Sequence, residues 1–439
     1  MQKIVFPVLI CLSFLIQSPV IANDLVDAYS LARGGDPTYQ AAIAEYRATL
    51  EAKPQARSQL LPTINFSADG ATNEQEIDIE SPFGDSGKID FESYSYSLDL
   101  NQPVFRYDRF LALKQADSEI KGAQARLDAA EQDLMIRISE RYFDVLAALD
   151  DLEFANAEKK ALKRQLEQAE QRFEVGLIAI TDVQEARAGY DRSVATQIVA
   201  VNNVANAREA LREVTGEYIE LLAPLGEEMP LVSPQPEDIE EWTRRSQEQN
   251  LQVEASRQDL EVARQNIKIE KSGHLPTVDL FASRGFNSSG GRFGTTDIDD
   301  TVVGLELNMP LFQGGLVTSR TREAHERYNQ AYQELERAYR EAQRQTRESY
   351  LGVISGISQV KAFQQAVVSN ETALEATEAG FEVGTRTAVD VITVQRALLE
   401  ALRNYARSRY DYILSILRLK QAAGTLSPED LRAVNQWLE

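Results

Sequence analysis

The sequence predicts an α+β membrane protein in which helical rods too long for a globular domain alternate with short β-hairpins, the hairpins closing into a barrel only when several chains combine. Three observations carry this reading. The chain is an internal duplication: RFEVGLIAITDVQEA, from Arg172, returns as GFEVGTRTAVDVITV, from Gly380, so Phe173, Val175, Gly176, Asp182 and Val183 recur 208 residues later (381 − 173) as Phe381, Val383, Gly384, Asp390 and Val391. Two stretches of about 65 residues are free of proline and dense in helix formers, enough for rods on the order of 100 Å at 1.5 Å per residue. Four segments alternate apolar and polar residues with the period of a strand. A repeat this long is not a solenoid unit; it implies two similar halves packed pseudo-symmetrically.

At the N-terminus, Lys3 precedes an apolar run from Ile4 to Ile16 and a small-residue site with Val20 and Ala22. Residues 1–22 read as a secretory signal peptide, too short for a membrane span. The single cysteine, Cys11, lies inside it, so the exported chain is expected to carry no thiol, disulfide or lipid anchor, which suits an oxidising compartment. No later stretch approaches 18 consecutive apolar residues, so a membrane crossing has to be a closed barrel.

The first repeat is expected over residues 23–225, as helices, a strand hairpin at about 61–103 and a long helical hairpin at about 105–214. Ile64, Phe66 and Ala68 alternate with Asn65, Ser67 and Asp69, and Tyr94, Tyr96, Leu98 and Leu100 alternate with Ser95, Ser97, Asp99 and Asn101. Each run is about 10 residues, the length a tilted strand needs to cross a bilayer. The intervening NEQEIDIESPFGDSGKIDFES, from Asn73, reads as a polar loop outside the membrane; it lacks EF-hand spacing, so its acids are assigned to solvent rather than to calcium.

From Arg106 to about Glu174 the one interior glycine is Gly122, and Leu134, Ile138, Tyr142, Val145 and Leu149 recur at helical spacing, giving one buried stripe. Gly176 should end the rod by taking the left-handed conformation. A return helix is expected from about Thr181 to Arg212, with Thr181 and Gln184 as its capping pair.

The second repeat, residues 226–427, is expected to place a strand hairpin at about 275–310 and a helical hairpin at about 313–423. Val278, Leu280 and Ala282 match Val303, Leu305, Leu307 and Met309 across a Gly- and Asp-rich loop, NSSGGRFGTTDIDD, from Asn287. The second rod runs from Gly315 to about Ala379, with Gly352 and Gly356 inside it, and ends at Gly384; Thr387 with Asp390 caps a return helix to Ala422. Residues 428–439 read as a C-terminal tail. Four strands leave two free edges, which lipid does not tolerate, so the barrel must be shared between chains; this argument alone leaves two, three or four subunits open.

The chain has 46 basic and 68 acidic side chains, a net charge of −22, and loss of Lys3 with the leader makes it one more negative. Nucleic acid is thereby excluded as a partner, because phosphate neutralisation dominates that affinity. The acidity serves solubility or lines a lumen that favours cations. His274, at a helix-to-strand junction, and His325, on a charged helix face, are the two histidines, and GxSxG, HExxH, P-loop and GxGxxG patterns are missing. The reading is therefore of a protein that is not an enzyme and uses neither cofactor nor metal.

The segments LLPTI, NQPVF, RFEVGLIAITDVQEARAGYD, SGHLPTVDLFAS, PLFQGG and EAGFEVGTRTAVDV are specific in combination. Over essentially the whole mature chain the sequence resembles the outer-membrane efflux protein family, the exit ducts of Gram-negative export systems. The resemblance implies a homotrimer whose 12-stranded outer-membrane β-barrel, four strands per chain, is continuous with a long α-helical periplasmic barrel of coiled coils. It implies outer membrane lipid around the barrel, a periplasmic adaptor (membrane fusion) protein gripping the hairpin turns at Val175, Gly176, Leu177, Val383, Gly384 and Thr385, and an inner-membrane transporter of the RND or ABC class. Cargo would be proteins in type I secretion and drugs or other small amphiphiles in multidrug efflux.

By the same resemblance the periplasmic aperture would be gated by Asp182 and Arg386, with Thr181 beside them, and Asp390 would form an acidic constriction ring. Two departures bear on this. The family tyrosine is Phe381 here, without a hydroxyl, and a second acidic position one turn after Asp390 is Thr393, so the gate is expected to use fewer bonds and a less charged ring. The alternative function, a coiled-coil structural surface protein or trimeric adhesin without transport, would place a barrel at one terminus, whereas these strand hairpins interrupt the helices twice in mid-chain.

Overall fold

A computed structural model describes residues 22–78, 87–227, 229–291 and 294–439, so the expected signal peptide lies outside the described residues apart from Ala22. Helices α1 (Leu25–Gly35), α2 (Pro37–Leu50) and α3 (Ala52–Ser58) lead into strands β1 (Thr63–Ile77) and β2 (Gly87–Phe105), then into α4 (Tyr107–Glu174) and α5 (Ile180–Thr215). The order is then repeated as α6 (Ile239–Gln249), α7 (Leu251–Lys271), β3 (Thr277–Ser289), β4 (Thr296–Asn308), α8 (Leu316–Glu382) and α9 (Ala388–Ala422), and α10 (Pro428–Asn435) closes the chain.

The strands form one antiparallel sheet in the order β1-β2-β3-β4. Its register stacks Ile64, Leu100, Ala282 and Val303 across one face, and Asn65, Asp99, Ser283 and Val302 across the other. The period-two pattern therefore makes an apolar side and a mostly polar side. On the apolar side Phe66 and Leu305 are 70% and 69% exposed in the protomer, an apolar face of the kind that lipid or another protein chain covers. Tyr94 and Tyr96 pack against Phe286, with ring centroids 5.9 Å and 5.3 Å apart, as an aromatic patch at one end of the apolar band.

The strands are longer than the sequence pattern suggests, at 15, 19, 13 and 13 residues. Asn73–Ile77, Gly87–Ser93, Asn287–Ser289 and Thr296–Asp300, read above as loop, are paired strand. In Asn73–Ile77 polar side chains on both faces hide the alternation, and in Gly87–Ser93 Ile89 and Phe91 alternate out of phase with Tyr94 and Tyr96, but the ladder still satisfies the backbone groups. Lys88 adds cross-strand ion pairs to Glu74 and Glu76 at 3.1 Å and 3.7 Å. The middle of the acidic segment, 79–86, lies outside the described residues.

Helices α4 and α8 are rods of 68 and 67 residues, about 100 Å each. The return helices α5 and α9, of 36 and 35 residues, cover half that length, and the shorter helices continue their lines. At Gly35 an added Cβ would meet the Thr215 carbonyl oxygen at 2.3 Å, so α2 starts against the end of α5. At Gly424, with φ of 75°, it would meet the Gln249 carbonyl oxygen at 2.1 Å, and the Asn250 side chain donates to the Ala422 carbonyl at 3.0 Å while capping α7. Only glycine permits these close joints.

The main core lies where the joints meet, around Leu134, Ile138, Tyr142, Phe143, Tyr412 and Leu417. Tyr142 and Tyr412 are fully buried, and their hydroxyls reach Ala223 and Val232 of the connecting segment, at 2.8 Å and 2.9 Å to the carbonyl oxygens. The stretch expected as a C-terminal tail carries a docked helix: Ser427, Pro428 and Asp430 start α10, whose Leu431 and Val434 are buried, and Asn435 donates to Asp24 at 2.6 Å. A capping box and two apolar residues at helical spacing suffice to dock it.

Candidate gate at the helical tip

Both helical hairpins turn on glycine, Gly176 at φ 74° and Gly384 at φ 75°. Backbone bonds close each turn, from Leu177 to the Arg172 carbonyl at 2.9 Å and from Thr385 to the Gly380 carbonyl at 2.8 Å, the pattern that ends a helix in a left-handed residue. The turns project apolar side chains outward: Val175, Leu177 and Val383 are 70%, 73% and 76% exposed.

The second hairpin is capped as the sequence indicates, by reciprocal bonds between Thr387 and Asp390. The first is not. Ala179 is the N-cap of α5, and the Asp182 carboxylate accepts its backbone N–H at 3.3 Å, so the Thr181–Gln184 pair is a correction. An acid three residues into a helix serves this purpose even where the cap itself has no side-chain acceptor.

Between the two coils runs a ladder of α9 cations on α4 anions. Arg418 meets Glu140 at 2.6 Å, Arg407 meets Asp144 at 3.7 Å, Arg403 meets Asp151 at 2.7 Å and Arg396 meets Glu158 at 2.9 Å. Tyr410 donates to Asp150 at 2.7 Å, and burial pushes the Asp150 carboxyl above its usual range.

Beyond Glu158 the coils part around a crevice of about 530 Å³, lined among others by Arg172, Asp182, Phe381, Arg386, Thr387 and Thr393. Asp182, Phe381 and Arg386 are thus brought together from two hairpins separated by some 200 residues of chain. Arg386 makes no ion pair within the protomer among the described residues, and its stem instead lies over Gly380, where a Cβ would meet the Arg386 Cγ at 2.8 Å. Thr181 is exposed on the first turn of α5 and is not part of the lining. Asp390 accepts from the Thr387 backbone and hydroxyl, both at 2.9 Å, and these bonds hold its carboxyl below the ordinary range.

Two lining features escaped the sequence reading. The Arg172 guanidinium sits 5.1 Å from the Phe381 ring centroid, and Gly380 gives Arg386 its seat. The signal was present in the duplication: Arg172 and Ile178 align with Gly380 and Arg386, so the repeats diverge at positions three of which line the crevice, Arg172, Ile178 and Arg386.

The family model for outer membrane efflux proteins matches the chain twice, over residues 28–217 and 242–425. The chain belongs to the outer membrane efflux protein family. This efflux protein is 40% identical to outer membrane protein TolC of Vibrio cholerae, over 97% of this chain and 96% of that one. It is 29% identical to the alkaline protease secretion protein AprF of Pseudomonas aeruginosa, over 96% and 88%. Its fold matches the CmeC outer membrane channel of Campylobacter jejuni with a TM-score of 0.78, at 16% identity, over 94% of this chain and 90% of that one. The efflux protein is an outer-membrane channel that extends into the periplasm and serves as an exit duct, not a surface adhesin.

Proposed function

We propose that three copies of this chain form one duct for type I secretion and for efflux of small amphiphiles, joined by a periplasmic adaptor to an inner-membrane transporter of the RND or ABC class. The observation that carries the assembly is the four-stranded sheet whose edges, β1 and β4, have no strand partner among the described residues while one face is apolar and exposed. Open edges are intolerable in lipid, and three such sheets make a 12-stranded barrel. The relative named for alkaline protease secretion supports a protein cargo, and the family's efflux role supports small amphiphiles.

In this reading the tip crevice is the gate. Arg386 reaches Asp182 in the closed tunnel, with Thr181 at the same rim, and Asp390 repeats three times as an acidic ring. Both partners of the pair are exposed in the protomer, so each bond contributes on the scale of a surface ion pair, about 0.5–1 kcal/mol. The exposed turns at Val175, Gly176, Leu177, Val383, Gly384 and Thr385 are the surface for the adaptor, since Val175, Leu177 and Val383 hold apolar side chains out to solvent. Purified protein in detergent should run as a heat-sensitive species of about three protomer masses. A stable monomer that conducts ions would overturn the shared barrel.

A further inference from the structure

We propose that Arg172 is a gate-positioning residue, whose guanidinium on the face of Phe381 latches the free end of the second coil to the first. The proposal rests on the tip crevice being the gate. Arg396–Glu158 is the last rung of the ladder, and from Glu158 to Arg172 the rod runs on for about 21 Å at 1.5 Å per residue. Over that length Arg172 on Phe381 is, among the described residues, the one hydrogen-bond, ion-pair or aromatic contact from the first coil to the second.

Both residues of the contact line the crevice. Beyond Arg396 the second coil is therefore held to the first by one polar or aromatic contact, beside the apolar side chains that line the crevice. The distance of 5.1 Å lies within the reach of a cation over an aromatic face. The duplication shows that the tie is one-sided. Phe173, the counterpart of Phe381, is preceded by Arg172, whereas Phe381 is preceded by Gly380, where a side chain would strike Arg386. A latch of this kind differs from an ion pair in its response to salt. Exposed opposite charges are screened over about 10 Å at 0.1 M, while a cation seated on a ring keeps its contact.

The test is single-channel recording of the full-length trimer in planar bilayers, comparing Arg172→Gln, Phe381→Leu, the double variant, Arg172→Lys and Phe381→Trp with the parent. Removing the cation or the ring should each raise open probability about three- to tenfold. The double variant should go no further than either single, Lys should restore part of the closure, and Trp, the stronger partner for a cation, should lower opening. Parent-like behaviour of Arg172→Gln, or a double variant equal to the product of the singles, overturns the latch. Asp182→Ala and Arg386→Ser, recorded alongside, separate the two ways to fail. If they open the channel while Arg172→Gln does not, the latch alone falls; if they too conduct like the parent, the gate reading falls and takes the latch with it.

Discussion

The upper and lower parts of the coil pair are made of the same kind of helix and are fastened differently. From Glu140 to Glu158 the first rod carries a carboxylate for one arginine after another of α9, and Tyr410 packs on Phe143 with ring centroids 5.5 Å apart. Past Glu158 the rungs stop and a crevice opens. The difference teaches that the two coils are held to each other by packing and charge as far as Glu158, while the stretch beyond it has, among the described residues, one exposed polar or aromatic cross-coil contact, of about 0.5–1 kcal/mol. A gate needs an equilibrium that a partner can shift, and weak ties in small number provide one.

Substitutions that break the contrast most are in the main core around Ile138. Ile138→Ala removes a fully buried side chain and should cost about 2–5 kcal/mol, lowering the melting temperature without raising conductance. Leu177→Ala at the tip, where the side chain is 73% exposed, should stay within about 0.5 kcal/mol in the same thermal melt. Equal losses at the two sites would erase the distinction between main core and tip.

A smaller effect should come from the ladder. Arg403→Ala and Arg396→Ala each remove a partly exposed rung and should cost about 0.5 kcal/mol. The two should differ in bilayers: loss of Arg396, the last rung, lengthens the free end and raises open probability, whereas loss of Arg403, inside the ladder, leaves it unchanged. If both behave alike, the last rung is not where the free end begins.

The smallest expected change is in pH response. Hydrogen bonds from Thr387 lower the Asp390 carboxyl in the folded protein. Its contribution is therefore present above the ordinary carboxylate range and is lost as pH falls through the lowered folded value. Cation preference should persist as pH is brought down through that ordinary range and fade only below it, and Asp390→Asn should weaken both the preference and block by multivalent cations at neutral pH. Reversal-potential measurements across a pH series check this.

Much of this was legible in the chain. Gly176 and Gly384 announce the turns because few other residues accept a positive φ, and the stripe from Leu134 to Val145 is buried as its spacing indicates. Strand ends were less legible, since Asn73–Ile77 pairs through its backbone while its side chains give no alternation. The start of α5 misled because Thr181 is a good capping residue, yet the neighbouring Asp182 performs the task for Ala179. Arg396 on Glu158 and Arg172 on Phe381 join helices far apart in sequence, and which side chains meet depends on the axial register of two rods, which local composition does not encode. In the candidate site, Asp182, Phe381 and Arg386 were found through the family motif, and the structure places all three on the lining of one crevice.

The central claim is that the barrier to flow lies at the tip, and the most direct measurement is single-channel conductance of folded, trimeric Asp182→Ala and Arg386→Ser. Either change removes one partner of the proposed lock from all three copies, and both should raise conductance markedly over the parent at the same salt concentration. Parent-like conductance in both variants would contradict the claim and leave these residues as a helix cap and a turn side chain.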